Sequence, residues 1–334
     1  MSGHLDEVRT AVERRLETFF HVESERLQAL APDAQELLGA VESLTMRGGK
    51  RFRPALLFAA YRAVHPEGTL GEVIDACAGL ELLQSYLLIH DDWMDGDDER
   101  RGGPSVHAML ARTAGDAHLG ASLAILAGNL ACAQSWKLLM GCAKGRPAAL
   151  DAIVAMHEEV LVGQQLDLCE SPDVARMQRL KTGSYTVKGP LSLGAALGDA
   201  NPDQVRALLA YAEPLGLAFQ MRDDLLGTFG DIAETGKPAD DLRHGKRTAL
   251  IDIAEEVASA DALGPVHAVL GNAAATDAEV ARAKAVLVEI GAKKALEDRL
   301  EGYVADARAA LTPLAEPGRE MLTALADALA RRKH

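Results

Sequence analysis

Strand-forming chemistry is what this chain has least of. Aromatic side chains make up only 4% of its 334 residues, and apolar–polar alternation is nowhere sustained, which excludes a core built from sheets. A basic excess is missing too. The formal charge is -14 and the isoelectric point about 5.2, so the cationic footprint of a nucleic-acid-binding protein is absent. The four cysteines, Cys77, Cys132, Cys142 and Cys169, form no CxxC pair. They read as reduced core residues rather than a disulfide framework or zinc site, and point to the cytoplasm. The N-terminal stretch MSGHLDEVRTAVERR mixes acids and bases and has no apolar block of the secretory kind, so no export is expected. Only Leu119 to Trp136 stays uncharged long enough to suggest a membrane span. It carries Ser122, Asn129, Gln134, Ser135 and two glycines, which favours a buried core helix and no membrane span.

What is present is helix-forming. Hydrophobic residues are 48% of the chain, enough for a sizeable core. Segments 5–29, 203–220 and 278–311 place apolar residues at three-and-four spacing with charge on the other face. Breaks fall at Gly48-Gly49, His65-Pro66-Glu67-Gly68, Gly102-Gly103-Pro104, Gly145-Arg146-Pro147, Ser171-Pro172-Asp173, Asn201-Pro202-Asp203 and Gly236-Lys237-Pro238. Two of these, Ser171-Pro172 and Asn201-Pro202, set a capping side chain before a proline at the first helical position. With no repeat, no low-complexity linker and no composition shift, one all-α domain over residues 1–334 is expected.

Chemistry concentrates where apolar helices end in acids. In LLIHDDWMDGDDERRGGPSVH, a helix continued through Asp95 puts Asp91 and Asp95 at i and i+4 on one face, with Asp92 about 100° away. Like charges at that spacing destabilise a helix unless a cation lies between them. A hard divalent cation suits carboxylates, and magnesium is typically held by one or two of them plus a substrate's phosphates. A second acidic pair, Asp223 and Asp224, closes another apolar helix in AFQMRDDLLGTFGD. Around the pairs lie basic, glycine-bearing segments: Lys50, Arg51 and Arg53 in GGKRFRP, then Arg100-Arg101, Lys181-Thr182-Gly183, and Lys237, Lys246 and Arg247 in GKPADDLRHGKRT. Guanidinium forks and ammonium groups beside metal-binding carboxylates describe a diphosphate site.

These segments, in this order over roughly residues 45–250, resemble the trans-prenyl diphosphate synthases of the polyprenyl synthetase family, which includes the farnesyl and geranylgeranyl diphosphate synthases. The resemblance implies an all-α, single-domain isoprenoid-synthase-type helical bundle around a central active-site cavity, homodimerisation and three Mg2+ ions, with Asp91, Asp95 and Asp223 as their ligands. It places Asp92 and Asp224 in the two aspartate motifs. Lys50, Arg53 and Arg101 fall on positions for isopentenyl diphosphate. Arg100, Lys181, Thr182, Lys237 and Lys246 fall on positions for the allylic diphosphate, and Gln220 lies beside the reacting tail. The implied reaction is ionisation of an allylic diphosphate (dimethylallyl, geranyl or farnesyl). The alkene of isopentenyl diphosphate then attacks, and the released diphosphate takes up the final proton.

The sequence departs from the family pattern twice. Gly227 stands where the second motif usually has its third acid, and the next acid is Asp231. Gln84 stands where many bacterial members have a histidine for isopentenyl diphosphate. It lies within about 20° of Asp91 on the helical wheel, so it is read either as a ligand amide or as a core glutamine. Tyr86, five places before Asp91 with no insertion in DDWMD, resembles the geranylgeranyl type of chain-length floor, with core packing as the other reading. Geranylgeranyl diphosphate is the expected product and farnesyl diphosphate the alternative. A terpene cyclase has no use for a second diphosphate site, and an inactive regulatory subunit would have broken acidic motifs.

Overall fold

The computed structural model of the protein describes residues 3–230 and 239–330. These are almost wholly helical, as the sequence predicts: α1 Gly3–Leu30, α2 Gln35–Met46, α3 Phe52–Val64, α4 Leu70–Asp95, α5 Val106–Ala114, α6 Ala117–Cys142, α7 Pro147–Leu168, α8 Val174–Gln178, a π-helix Arg179–Lys188, α9 Gly189–Leu197, α10 Pro202–Phe229, α11 Ala249–Val257, α12 Gly264–Val269, α13 Asp277–Glu289, α14 Ala292–Ala310 and α15 Gly318–Ala330. In α1 the buried set Val8, Val12, Leu16, Phe19, Phe20 and Leu27 follows the three-and-four spacing read from the sequence.

Local chemistry sets the helix ends. Thr69 and Glu72 form a capping box at the start of α4, and Gly96 ends it in the left-handed region at φ 69°. Asn201 caps α10 as expected, its Oδ1 accepting from the N–H groups of Asp203 and Gln204 at 3.0 Å each. For α8 the cap is Asp173 rather than Ser171: its carboxylate accepts from Arg176 N–H at 3.0 Å. The segment 278–311 is two helices and not one, because Gly291 adopts φ 81° between α13 and α14. Residues Glu99–Arg100 and Gly103–Pro104 form a short antiparallel hairpin that strand patterning did not reveal. Its two turn residues, Arg101 at φ 54° and Gly102 at φ 69°, both occupy the positive-φ conformation that a tight two-residue hairpin turn demands.

The chain divides into two compact units. One takes its described residues from Met1–Ala155, Gly189–Leu208 and Pro313–Leu325, the other from Met156–Lys188, Leu209–Thr312 and Ala326–His334. In the first, α4 packs along α6, α5 also packs on α6, and α3 packs on α9. Helices α4 and α6 are long and apolar enough to cross a membrane by length and composition, but the fold buries 67% and 44% of their most apolar windows. The small residues of α6 serve this packing. A Cβ at Gly120 would strike the Ala111 backbone, and one at Gly128 would strike the His90 ring. That stripe is therefore the face of a core helix within the chain. The apolar residues α6 exposes are others, including Leu119, Leu126 and Met140. All four cysteines are free. Cys77 is buried and Cys132 and Cys142 are half-buried, whereas Cys169 is exposed just beyond α7 and is not a core residue.

Candidate active site

The first unit builds its site on the C-terminal end of α4. Most of that helix is buried, but Gln84, Leu87, Leu88 and Asp91 form a half-exposed stripe at three-and-four spacing, continued by exposed Asp95. Asp92 turns away from it and is fully buried. Arg100 on the hairpin meets Asp92: Nε donates to Oδ1 at 2.6 Å, and Nη2 pairs with the same carboxylate. The Nη2 atom also lies 3.4 Å from Asp97 and 3.9 Å from Asp91. Burial pushes the Asp92 carboxyl up to about 6 even with Arg100 beside it, and Asp91 and Asp97 add to the rise. Its Oδ2 is buried with no hydrogen-bond donor among the described residues.

A guanidinium cluster lies behind this stripe. Arg51, at φ 47°, is wholly buried; its Nη1 donates to buried Glu81 at 2.5 Å and its Nη2 to the Thr45 carbonyl at 2.9 Å, while Nε stands 3.6 Å from Glu13. Arg51 therefore acts inside the protein, whereas its neighbours Lys50 and Arg53 are respectively exposed and nearly buried at the start of α3. Arg101 Nη1 donates to the Leu44 carbonyl at 3.2 Å. Burial lowers the Arg101 pKa; Glu81 opposes that, and Arg51, Arg53 and Arg100 add like-charge pressure. Arg51, Arg53 and Arg100 thus all lie within electrostatic reach of Arg101. Arg47 fastens the hairpin that carries two of them: its Nη1 donates to the carbonyls of Pro104 at 2.6 Å and Arg100 at 3.2 Å. Neither Arg47 nor Glu81 stood out in the sequence. Tyr86 is buried, edge-on to His90 with ring centroids 5.0 Å apart, and its burial raises its pKa.

The second unit repeats the pattern on α10. Gly216, Phe219, Gln220, Asp223 and Gly227 form a half-exposed stripe, and Asp224 turns inward. Gln220 Nε2 donates to Asp224 Oδ1 at 2.8 Å and Ala249 N–H donates to Oδ2 at 2.9 Å, so Asp224 caps the start of α11. Burial raises the Asp224 pKa to about 6 against those two bonds; Asp241 raises it further and Lys246 lowers it. Lys181 and Thr182 lie half-buried in the π-helix, a rare element found disproportionately at functional sites. Lys181 Nζ donates to Asp167 on α7 at 2.5 Å. The π-helix sits close against α7, where a Cβ at Gly163 would overlap the Lys181 backbone N and lie 2.5 Å from its Cα. Lys246 pairs with Asp241 at 3.4 Å. Lys237 and Asp231 lie outside the described residues.

No group of three or more His, Cys, Asp or Glu side chains poised around one metal ion occurs among the described residues. The first motif instead presents Asp91 and Asp95 on its stripe, with Arg100 3.9 Å from Asp91, and the second presents Asp223, oxygen donors that suit a hard divalent ion completed by phosphate oxygens. Acid-tipped helices of this kind in an all-α chain suit a prenyltransferase. The family model for polyprenyl synthetase matches residues 34–287, and the chain belongs to that family. It is 33% identical over 272 residues to the short chain isoprenyl diphosphate synthase of Methanocaldococcus jannaschii, covering 79% of this chain and 80% of that one. To the geranylfarnesyl diphosphate synthase of Aeropyrum pernix it is 30% identical, covering 91% and 96%. Among solved structures, it superposes with a TM-score of 0.88 and 33% identity on a Corynebacterium glutamicum geranylgeranyl pyrophosphate synthase complexed with isoprenyl diphosphate and magnesium, covering 98% and 99%. The protein is a short-chain trans-prenyl diphosphate synthase.

Proposed function

We propose that the chain condenses isopentenyl diphosphate head to tail with an allylic diphosphate to make geranylgeranyl diphosphate, using Mg2+, with residues 1–334 serving as one synthase domain. The observation that carries this reading is the repeated motif geometry: each aspartate helix presents its first acid on a half-exposed stripe and packs its second acid inward. Asp91, Asp95 and Asp223 are the proposed magnesium ligands, three ions in all. The fit rests on the oxygen donors these stripes expose. Bound magnesium supplies Lewis acidity to the allylic diphosphate and neutralises charge on its leaving group.

The rest follows from this chain's own groups. Lys50, Arg53 and Arg101, with Gln84 on the stripe, hold isopentenyl diphosphate through charge-assisted hydrogen bonds. Arg100, Lys181, Thr182, Lys237 and Lys246 hold the allylic diphosphate and stabilise the charge that develops as its carbon–oxygen bond breaks. Asp92 and Asp224 keep their helices and cationic partners in register. Gln220, bonded to Asp224, lies beside the reacting tail, and the apolar residues of the stripes exclude water from the allylic cation. Tyr86, buried and braced by His90, sets how far the tail reaches, which favours a C20 over a C15 product. The apolar face of α6 that carries Leu119, Leu126 and Met140 supports a homodimer. Incubation with labelled isopentenyl diphosphate and each allylic starter, followed by product chromatography, tests the reading. Incorporation that needs Mg2+ and stops at C20 is expected; a C15 end product replaces the geranylgeranyl assignment with the farnesyl one, and no incorporation refutes the activity.

A further inference from the structure

Arg100 and Arg101 are consecutive residues that the hairpin sends to different places. Arg100 ends the first strand and faces the aspartate helix, bonded to Asp92 and 3.9 Å from Asp91. Arg101 opens the turn at φ 54° and reaches the end of α2, where its Nη1 donates to the Leu44 carbonyl at 3.2 Å. A ribbon of two short strands is at best marginally stable by itself, so its position has to be fixed from outside. Arg47, the residue that follows α2, does this. A single nitrogen, Nη1, donates to the last carbonyl of each strand, that of Arg100 at 3.2 Å and that of Pro104 at 2.6 Å, and Nη2 lies 3.3 Å from Ser43 Oγ. Asp92 is within electrostatic reach of the same guanidinium. The clamp is reciprocal: Arg47 at the end of α2 holds the ribbon, and Arg101 on the ribbon holds the last turn of α2. Gly103 makes room for it. A Cβ there would lie 2.7 Å from Arg47 Nη1 and 3.2 Å from its Cζ. Unlike Gly102, Gly103 has no positive φ, so what position 103 requires is the missing side chain and not backbone freedom.

We propose that Arg47 is the positioning residue that sets the spacing between the two diphosphate subsites, by holding the ribbon that delivers Arg100 to one and Arg101 to the other. This rests on the reading of Arg100 as a ligand of the allylic diphosphate and of Arg101 as a ligand of isopentenyl diphosphate. Arg47 acts through the ribbon, since its Nη1 is committed to two backbone carbonyls. The alkene has to meet the ionising carbon in a near-attack geometry, and a misplacement of about 1 Å costs on the order of a hundredfold in rate. A ribbon released from α2 moves both arginines at once, whereas loss of either arginine weakens one substrate. If Arg47 served only the stability of the fold, its loss would lower the Tm and leave both KM values alone.

Steady-state kinetics of the full-length enzyme with magnesium, varying isopentenyl diphosphate and the allylic diphosphate in turn, test this, with the Tm recorded alongside. Arg47→Ala removes the clamp; the KM for both substrates should rise together and kcat should fall by about tenfold or more. Gly103→Ala keeps the charge but pushes the flexible end of Arg47 off the carbonyls, and should give the same paired rise at a Tm close to that of wild type. In R47A/G103A the added methyl meets no guanidinium, so the double variant should be no worse than R47A, as expected of two changes that break one contact. A folded R47A with either KM unchanged, or costs of R47A and G103A that add in the double variant, overturns the proposal. Should R47A fail to fold, G103A alone decides, and wild-type KM values in G103A overturn it. R100M should raise chiefly the allylic KM and R101M chiefly that for isopentenyl diphosphate. Where they do so but R47A and G103A behave as wild type, this inference alone falls; where R100M and R101M leave both KM values unchanged, the reading of the two arginines falls and takes it along.

Discussion

Replacing Glu81 by glutamine isolates the worth of the charge cluster beneath the loop that carries Lys50. Glu81 is 3% exposed and Arg51 0%, with 2.5 Å between Nη1 and Oε2, so solvent screens this pair little. Removing one member of such a pair leaves an uncompensated buried charge and costs ~3–5 kcal/mol. At ~2.1 cal/mol/K per residue, 334 residues give an unfolding entropy of ~0.7 kcal/mol/K, so the metal-free Tm should fall by ~4–7 °C. The two single substitutions should differ. E81Q strips the acid from Arg51 and Arg101 together, whereas R51M leaves Glu81 within reach of Arg101; E81Q is therefore the more damaging. The double variant R51M/E81Q should cost less than the sum of the two by at least ~1 kcal/mol, as expected for groups in contact. Differential scanning calorimetry of the three variants in chelator supplies the numbers. Because Arg51 fixes a left-handed backbone between Lys50 and Arg53, E81Q should also raise the KM for isopentenyl diphosphate more than that for the allylic substrate. An E81Q protein within ~1 kcal/mol of wild type, or strictly additive costs, refutes the reasoning.

Three further outcomes are expected. The Asp224 carboxyl is raised from 3.8 to about 6, so the folded state binds its proton more tightly than the unfolded chain. Its contribution to stability is full below about pH 4 and is lost as pH rises through about 6, on the order of 3 kcal/mol in all. In chelator, wild type should lose stability relative to Asp224→Asn as denaturation midpoints are followed from pH 4 to 7.5, and parallel profiles refute the burial effect. Gly163→Ala should push the π-helix off α7, at ~1–3 kcal/mol, and lower kcat; an unchanged Tm contradicts the close approach to Lys181. Tyr86→Ala should lengthen the product on chromatography, and an unaltered distribution removes Tyr86 from chain-length control.

The helices were legible because Val8, Val12 and Leu16, or Asp91 and Asp95, sit at spacings that only a 3.6-residue period turns into a face. The acidic motifs and their basic neighbours could be read as residue types. The helical wheel already set Asp92 off the face shared by Asp91 and Asp95, but which member of each basic cluster turns inward could not be read, since that depends on packing. Arg51 looked equivalent to Lys50 and Arg53 yet is buried on Glu81, 30 residues away. Arg100 was read as a phosphate ligand, and its closest partner is Asp92. The hairpin escaped notice because two-residue strands have no periodicity and arginine is an unusual residue for its turn. The π-helix differs from an α-helix by one hydrogen-bond step, which composition does not encode.

The inward-turned second aspartates carry a lesson for interpreting substitutions. Asp92 is a handle gripped by the hairpin, and Asp224 is one gripped by the first turn of α11, whereas Asp91 and Asp223, on the half-exposed stripes, are the tools proposed for those handles to aim. Truncating a handle should blunt catalysis by letting the tool swing, with an inactive enzyme that still titrates its metal. Truncating a tool leaves a rigid helix with nothing at its tip. Adjacent identical letters in each motif therefore predict two different kinds of broken enzyme.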